Sequence, residues 1–237
     1  MTAHDQTIID RTNREDPVGL PLKFTGRRRA QLRRRGLYRN GLKRVLDVML
    51  VLLAAPVAVP LVLVLALIVL VMEGGAPFYG QDRVGRSGKI YKMWKLRSMV
   101  PDAEARLADH LTADPAARVE WDSTQKLKAD PRITRFGRLM RKSSMDELPQ
   151  LWNVLLGDMS LVGPRPMMDG QQDLYPGIAY YRMRPGITGF WQISKRNEST
   201  FAERADFDDR YEREVSLVTD LRLLTATVGV VLRATGH

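Results

Sequence analysis

The chain has 237 residues, 44% of them hydrophobic, and a formal net charge of +10, which is enough for one domain with a buried core and short extensions. It contains no cysteine, which excludes disulfides, thiolate metal sites and cysteine nucleophiles, and its three histidines are far apart in the sequence. Any chemistry must therefore come from Asp, Glu, Lys, Arg, Ser or Tyr side chains.

The positive charge is concentrated near the N-terminus, in the stretch GRRRAQLRRRGLYRNGLKR. Residues 23–44 include ten Lys or Arg and no acidic residue. We interpret residues 1–40 as a basic N-terminal tail, for which a solvated chain and a nucleic-acid-binding arm are both compatible readings. The segment that follows argues against the second reading, so no nucleic acid is expected as a partner.

That segment, VMLVLLAAPVAVPLVLVLALIVLVM, covers residues 48–72 and carries no charge. As a helix it would be about 37 Å long, against about 30 Å for the hydrocarbon core of a bilayer. It is too long, and starts too far from the N-terminus, for a cleaved signal peptide. The segment therefore predicts insertion into a membrane.

Two prolines and the flanking charges indicate how the segment enters the membrane. Pro56 and Pro60 remove two hydrogen bonds from one face of the helix, which favours a bend. Both flanks are basic, and basic flanks stay in the cytoplasm, so both ends are expected on one side. We predict that residues 41–73 form a re-entrant membrane helix, with an ordinary spanning helix as the competing interpretation.

Residues 74–237 have the composition of a soluble domain. Residues 89–99, KIYKMWKLRSM, alternate as in a strand, and residues 101–131 are typical of helix plus loop. Residues 130–144 and 216–236 have helical spacing of their apolar residues. The positions concerned are Ile133, Phe136, Leu139 and Met140 in the first segment, and Leu217, Leu221, Leu224, Val228 and Leu232 in the second.

Both amphipathic segments suit a membrane surface with anionic lipids, while packing on the protein's own core is an equal interpretation for the first. The predicted fold class is α+β. It consists of one re-entrant hydrophobic helix plus a mostly helical cytoplasmic catalytic domain with interfacial amphipathic helices.

Two adjacent carboxylates, Asp146 and Glu147, stand in the stretch SSMDELPQLWNVLLGDMSLVGPRP, residues 143–166. Because Pro149 is poorly tolerated beyond the first helical turn, the helix is predicted to start at or just after Asp146. Asp146 or a neighbour would be the N-cap, and Ser144 with Glu147 matches a capping box. A purely structural interpretation follows, in which the helix dipole favours two acids in the first turn.

A chemical interpretation rests on the basic residues in neighbouring motifs. These are Lys95, Arg97, Arg141, Lys142 and Arg165. Arg165 stands between two prolines, on stiff backbone suited to bidentate phosphate recognition. Carboxylates together with cations can hold a divalent metal and a diphosphate, and a carboxylate can also act as a nucleophile.

Four ordered motifs carry a family resemblance that covers residues 43–236. They are KRVLDV, GQDRVGRSGKIYKMWKLRSM, DPRITRFGRLMRKSSMDELPQLWNVLLGDMSLVGPRP and YRMRPGITGFWQISKRN. The chain resembles the bacterial sugar transferases, the monotopic polyprenyl-phosphate hexose-1-phosphate transferases, and is most similar to short members that start exopolysaccharide repeat units. It departs from them at Val59-Pro60, where Ser-Pro is frequent, and at the serine of KLRSM, where threonine is usual.

The resemblance implies transfer of a sugar-1-phosphate from a UDP-sugar to undecaprenyl phosphate with release of UMP, at the cytoplasmic face of the bacterial inner membrane. It implies that Asp146 is the covalent nucleophile, Glu147 the carboxylate that binds Mg²⁺, and Arg165 a phosphate ligand. The resemblance places Lys95, Arg196 and Asp208 at further motif positions with their individual roles left open, and we predict that they and Arg97 bind substrate. The sugar transferred, and whether the chain forms a homo-oligomer, are left open.

Two other classes of function are weighed against this transferase. A membrane-anchored nucleic-acid-binding protein would use the arginine run but leaves the carboxylate pair unexplained. A scaffold for polysaccharide assembly with an inactive site is disfavoured by the intact Asp146–Glu147 pair.

Overall fold

The computed structural model describes residues 36–124, 127–194 and 201–232. The predicted basic tail lies outside these residues up to position 35, and so does Arg196. The described residues belong to one compact unit, Gly36–His237.

A long apolar helix, α1, spans Lys43–Glu73 after a π-helical turn at Tyr38–Leu42. It runs without interruption through Pro56 and Pro60. Within the described part of the chain, the helical stretch Tyr38–Glu73 alone is long and apolar enough to cross a membrane, and only 17% of its most apolar window is buried in the protein. The predicted apolar helix is therefore present, with its long side chains facing outward.

Eight shorter helices follow in the described residues. They are α2 (Ala103–Ala113), α3 (Pro115–Thr124), α4 (Arg135–Lys142), α5 (Gln150–Leu156), α6 (Ala179–Arg182), α7 (Phe190–Ile193), α8 (Arg204–Glu214) and α9 (Leu217–Leu232). The helices α2 and α3 account for most of the region predicted as helix plus loop.

The strands form two small sheets. Strands β1 (Phe78–Val84) and β2 (Ile90–Leu96) make an antiparallel hairpin in which Phe78 pairs with Leu96, and β4 (Met167–Met168) adds to the free edge of β1. Strands β3 (Ser160–Val162) and β5 (Gly186–Thr188) form a short parallel pair. The mixture of helix and sheet confirms the α+β class, and β2 confirms the strand predicted within residues 89–99.

Both ends of α1 pack against this same body. Its N-terminal part contributes Val51 to a core cluster whose other buried members are Tyr91, Met93, Val154 and Met159. Its C-terminal part contributes Leu65, Ala66 and Val69 to a second cluster, with Leu96 and Met140. Between these contacts α1 exposes apolar side chains, such as Leu53 at 77% and Val57 at 74%.

A polar network fixes the first turns of α1. Lys43 Nζ lies 2.6 Å from a carboxylate oxygen of Asp220 on α9, and the Ser160 hydroxyl of β3 donates to Asp47 at 2.6 Å. Arg44 donates to the carbonyl groups of Val154 and Leu155, which end α5. These contacts tie the start of the apolar helix to β3, and β3 leads directly into the Gly-Pro-Arg-Pro loop.

The two amphipathic segments differ in how well they were predicted. The helix α4 begins at Arg135, after the side chain of Thr134 accepts a hydrogen bond from the Gly137 N–H. Met140 is buried as predicted, but Leu139 is 62% exposed and Ile133 precedes the helix, where it bridges to Met99. The predicted helix is therefore wrong at Ile133, because the cap sets a later helix start, whereas Leu139 lies within the helix with its side chain exposed.

The helix α9 leaves much of its apolar stripe uncovered. Its Leu223 is fully buried, whereas Leu217, Leu221 and Val228 are 42%, 48% and 57% exposed. These three belong to the stripe that the sequence placed on one face, whereas Leu224 of the same stripe packs against a core cluster.

Candidate active site

The two adjacent carboxylates lie on a 3₁₀ turn, Met145–Glu147, and not inside an α-helix. Ser144 adopts a left-handed conformation with φ 57°, and the Glu147 N–H then donates to the Ser144 carbonyl at 3.2 Å. The α-helix begins only at Gln150, after Pro149. The predicted helix start at Asp146 and the capping box at Ser144 are therefore wrong, because the turn closes i→i+3 bonds before Pro149, which has no N–H, leads into the helix.

The Asp146 carboxyl group is buried, with 6% of the residue exposed. Burial raises its pKa, and the neighbouring Glu147 charge raises it further, while Lys95 and Arg141 oppose the shift. Burial thus disfavours the charged form of Asp146, and its cationic neighbours offset part of that penalty. Its environment therefore resembles that of a reactive group more than that of a solvated helix-terminal acid.

Glu147 is paired with Lys95 of β2, whose Nζ lies 2.6 Å from Glu147 Oε1. Both side chains keep partial access to solvent, at 32% for Glu147 and 24% for Lys95. Arg141 lies in the last turn of α4, where its Nε donates to the Ser98 hydroxyl at 2.8 Å. Strand β2, helix α4 and the 3₁₀ turn thus bring cations and carboxylates into one place.

The Glu147–Lys95 pair opens into a small cleft lined by polar residues from several elements. Its polar lining residues are Arg83, Lys95, Glu147, Gln150, Arg165 and Gln192. Asp146 adjoins this cleft through Glu147 but is not itself among the lining residues. Lys95, Glu147 and Arg165, which are separated by 52 and then 18 residues along the chain, therefore line the same cleft.

Arg165 is held by the close approach of two glycine-containing segments. The Gly163 N–H donates to the Thr188 carbonyl at 2.8 Å, and the Gly186 N–H donates to the Pro164 carbonyl at 2.7 Å. A Cβ on Gly163 would lie 2.4 Å from the Arg184 carbonyl oxygen, so only glycine fits there. The loop is thereby fixed to β5, and its arginine is aimed at the cleft.

Two further arginines, which the sequence interpretation missed, lie near Arg165. Burial lowers the pKa of Arg83, on β1, and repulsion by Arg165 lowers it further. Burial, and then Arg165, lower the pKa of Arg204, on α8, to about 10. Arg83 stands in the QDRVG part of a recognised motif, but no motif marks Arg204, which is 121 residues away.

The remaining predicted residues lie in different places. Asp208 on α8 is buried behind Arg204 and accepts a hydrogen bond from the Tyr175 hydroxyl at 2.8 Å. Burial raises the pKa of Asp208 to about 7, against the attraction of Arg204. Arg97 donates to the Gly74 carbonyl just past the end of α1 and does not line the cleft.

The acidic pair suits a magnesium ion held jointly with a substrate. No three Asp, Glu or His side chains converge within residues 36–124, 127–194 and 201–232, so this region offers no all-protein metal cage. Mg²⁺ commonly takes one or two carboxylates and completes its shell with water and substrate phosphates. Glu147, which lines the cleft beside Asp146, fits that type of site.

Comparison with known proteins gives consistent results. The sequence model of the family described as "Bacterial sugar transferase" matches residues 38–234. The chain is 47% identical over 197 residues to a UDP-galactose-lipid carrier transferase of Erwinia amylovora, covering 82% of this chain and 41% of that protein. It is 46% identical to an undecaprenyl-phosphate galactose phosphotransferase of Salmonella typhimurium, with the same coverage.

A shorter relative is the exopolysaccharide production protein ExoY of Sinorhizobium fredii, 42% identical over 196 residues, with 82% of this chain and 87% of the relative covered. The chain thus spans about two fifths of the length of the Erwinia and Salmonella proteins, and most of the length of ExoY.

Proposed function

Because the chain belongs to the bacterial sugar transferase family, we propose that it transfers a hexose-1-phosphate from a UDP-sugar to undecaprenyl phosphate and releases UMP. The relatives' names support this, since they specify UDP-galactose, a lipid carrier and undecaprenyl phosphate. The name of ExoY supports a role in exopolysaccharide production, and we propose that this role is the first membrane step of repeat-unit synthesis. The observation that carries the proposal is the carboxylate pair beside a cleft lined by Lys95 and Arg165.

In the proposed reaction, an oxygen of the Asp146 carboxylate attacks the phosphorus that carries the sugar. The bond from that phosphorus to the bridging oxygen breaks, and UMP leaves with the electron pair. The sugar phosphate remains on Asp146 as a mixed anhydride. A phosphate oxygen of undecaprenyl phosphate then attacks the same phosphorus, which releases the product lipid and restores the carboxylate.

The surrounding residues make this attack feasible. The donor brings two negative phosphates toward a carboxylate, and Lys95, Arg141 and Arg165 offset that repulsion in a partly desolvated site. Glu147 and the donor phosphates would hold Mg²⁺, which when bound supplies further neutralisation of phosphate charge. Three further residues stay predicted substrate-binding residues: Arg97, Arg196 and Asp208. Of these, Asp208 would act indirectly, through its electrostatic attraction to Arg204.

The proposed place of action is the inner face of the bacterial cytoplasmic membrane, with α1 as a re-entrant helix. A single crossing would separate the ends of α1 by the bilayer core of about 30 Å. Val51 and Val69, however, both pack on the body that carries the cleft. Contacts at both ends therefore support entry and exit through one face.

The uncovered side chains of two other helices support an interfacial position. Arg135, Arg138 and Leu139 of α4 are exposed, as are Leu217, Leu221 and Val228 of α9. Exposed apolar side chains beside cations suit the headgroup region of an anionic membrane. Undecaprenyl phosphate would reach the cleft from that surface.

Membrane topology can be checked with single cysteines, because the natural chain has none. We expect Ala30→Cys and Ser87→Cys both to resist a membrane-impermeant thiol reagent in intact spheroplasts and both to react after lysis. They flank α1, and both should face the cytoplasm. Reaction of either cysteine from outside would contradict the re-entrant arrangement, and the Pro56→Ala/Pro60→Ala double variant tests whether the prolines are responsible.

The transfer reaction itself is tested by supplying membranes that contain the chain with undecaprenyl phosphate and a panel of UDP-sugars. We expect UMP release and a lipid-linked sugar phosphate with at least one donor, and the productive donor identifies the sugar. Membranes that lack the chain serve as the control. If no donor gives UMP above that control, the proposed function is wrong.

A further inference from the structure

Three neighbouring arginines, of which Arg83 and Arg165 line the cleft, have no ion-pair partner in the described residues. Arg83, Arg165 and Arg204 come from β1, the Gly-Pro-Arg-Pro loop and α8, and no carboxylate in the described residues lies within 4.0 Å of their side-chain nitrogens. The Nε atoms of Arg83 and Arg204 are buried and have no hydrogen-bond acceptor there. Bringing together like charges whose N–H donors lack acceptors costs free energy, unless an anion binds among them.

Two of these arginines contact the ring of the same tryptophan. The guanidinium carbons of Arg165 and Arg204 are 4.9 Å and 4.5 Å from the centroid of the Trp191 ring. Trp191 is 5% exposed and lies in the short helix α7, which follows β5. An arginine over an aromatic ring is stabilised by cation–π attraction, and tryptophan is the strongest partner. The ring therefore offsets part of the repulsion between the two guanidinium groups.

We propose that Trp191 is a positioning residue that holds Arg165 and Arg204 as a preformed pair, completed by Arg83, for the diphosphate of the ligand. This rests on the proposed function, in which the ligand is a nucleoside diphosphate sugar. Guanidinium groups match phosphate oxygens with paired hydrogen bonds, and a group fixed before binding loses less entropy on binding. Arg83 and Arg204 are thereby added to the phosphate-binding residues.

The test compares Trp191→Leu and Trp191→Phe in binding of UDP and of inorganic pyrophosphate by purified full-length protein. We expect Trp191→Leu to weaken binding of both by about tenfold, which corresponds to about 1.4 kcal/mol. Trp191→Phe should recover most of that loss, because phenylalanine keeps an aromatic face. In turnover, KM for the donor should rise while kcat stays within about threefold, as expected when ground-state binding is lost.

A matched pair of arginine variants separates this role from general packing. Arg204 and Arg210 both lie on α8 over an aromatic ring, but Arg210 contacts Phe190 at 4.4 Å and its side chain is 52% exposed. Arg204→Gln should weaken pyrophosphate binding by about tenfold, as the loss of one charged contact predicts. Arg210→Gln should leave it unchanged. These two arginine variants also test the proposal if Trp191→Leu does not fold.

Two binding results would overturn the proposal. One is binding of pyrophosphate by Trp191→Leu, or by Arg204→Gln, within twofold of the natural chain. The other is an equal loss in Arg204→Gln and Arg210→Gln. Pyrophosphate binding requires no sugar transfer, so a chain that binds it through Trp191 but transfers no sugar would refute the proposed function alone. A chain that transfers sugar with an unchanged donor KM in Trp191→Leu would refute this proposal alone.

Discussion

Asp146→Asn should reduce the steady-state rate of sugar-phosphate transfer by a factor on the order of a thousand or more, as losses of covalent nucleophiles do. The amide has nearly the shape of the carboxyl group, so the 3₁₀ turn should persist, but its oxygen is a poor nucleophile. The melting temperature should change little, because burial already disfavours the charged form of Asp146. UMP release with a productive UDP-sugar is the measurement.

Asp82→Asn is a suitable control, because Asp82 is exposed on β1 and outside the cleft.

The pH dependence gives a second check. Since burial raises the pKa of Asp146 and only the ionised carboxylate attacks, the rate should fall on acidification at a higher pH than for an ordinary aspartate. A substantial residual rate in Asp146→Asn would favour direct transfer between the two substrates over a covalent intermediate.

Glu147→Gln should remove most of the activity, on the order of a hundredfold, as expected for loss of a carboxylate that binds a catalytic metal. The substitution also leaves Lys95 without the charged partner that lies 2.6 Å away. The proposed metal role makes a specific prediction: the Mg²⁺ concentration for half-maximal activity should rise in Glu147→Gln. Titration of Mg²⁺ at saturating donor measures this concentration.

Lys95→Gln separates the two roles of Glu147, because it removes the ion pair and keeps the carboxylate. We expect it to lower activity without an increase in the Mg²⁺ requirement. Glu104→Gln, at an exposed position on α2, should behave like the natural chain. An unchanged Mg²⁺ requirement in Glu147→Gln would contradict the assignment of Glu147 as the metal carboxylate.

The elements that could be predicted from the sequence are those specified by local pattern. The continuous apolar run defines α1. The alternation in residues 89–99 defines β2, because burial on one face of a strand leaves a direct periodic trace in the sequence. The bounds of the acidic turn, and the start of the helix that follows it, could not be predicted. They depend on the positive φ of Ser144, a conformation that serine rarely adopts and for which the sequence gives no signal.

The arginine cluster around Trp191 could not be predicted for a different reason. Arg83, Arg165 and Arg204 come from separate parts of the chain, and their approach depends on how β5 and α7 pack beside the Gly-Pro-Arg-Pro loop. Arg165 was identified because prolines flank it. Arg204 has no such neighbour and is recognised only from its contacts in the fold.

The most direct test of the covalent mechanism uses a productive UDP-sugar labelled in the phosphate next to the sugar, with enzyme and Mg²⁺ but no lipid acceptor. We predict that label becomes bound to the protein, maps to the peptide containing Asp146, and passes into lipid when undecaprenyl phosphate is added. Asp146→Asn should acquire no label. Absence of protein-bound label from an enzyme that transfers sugar phosphate normally once lipid is present would contradict the covalent mechanism.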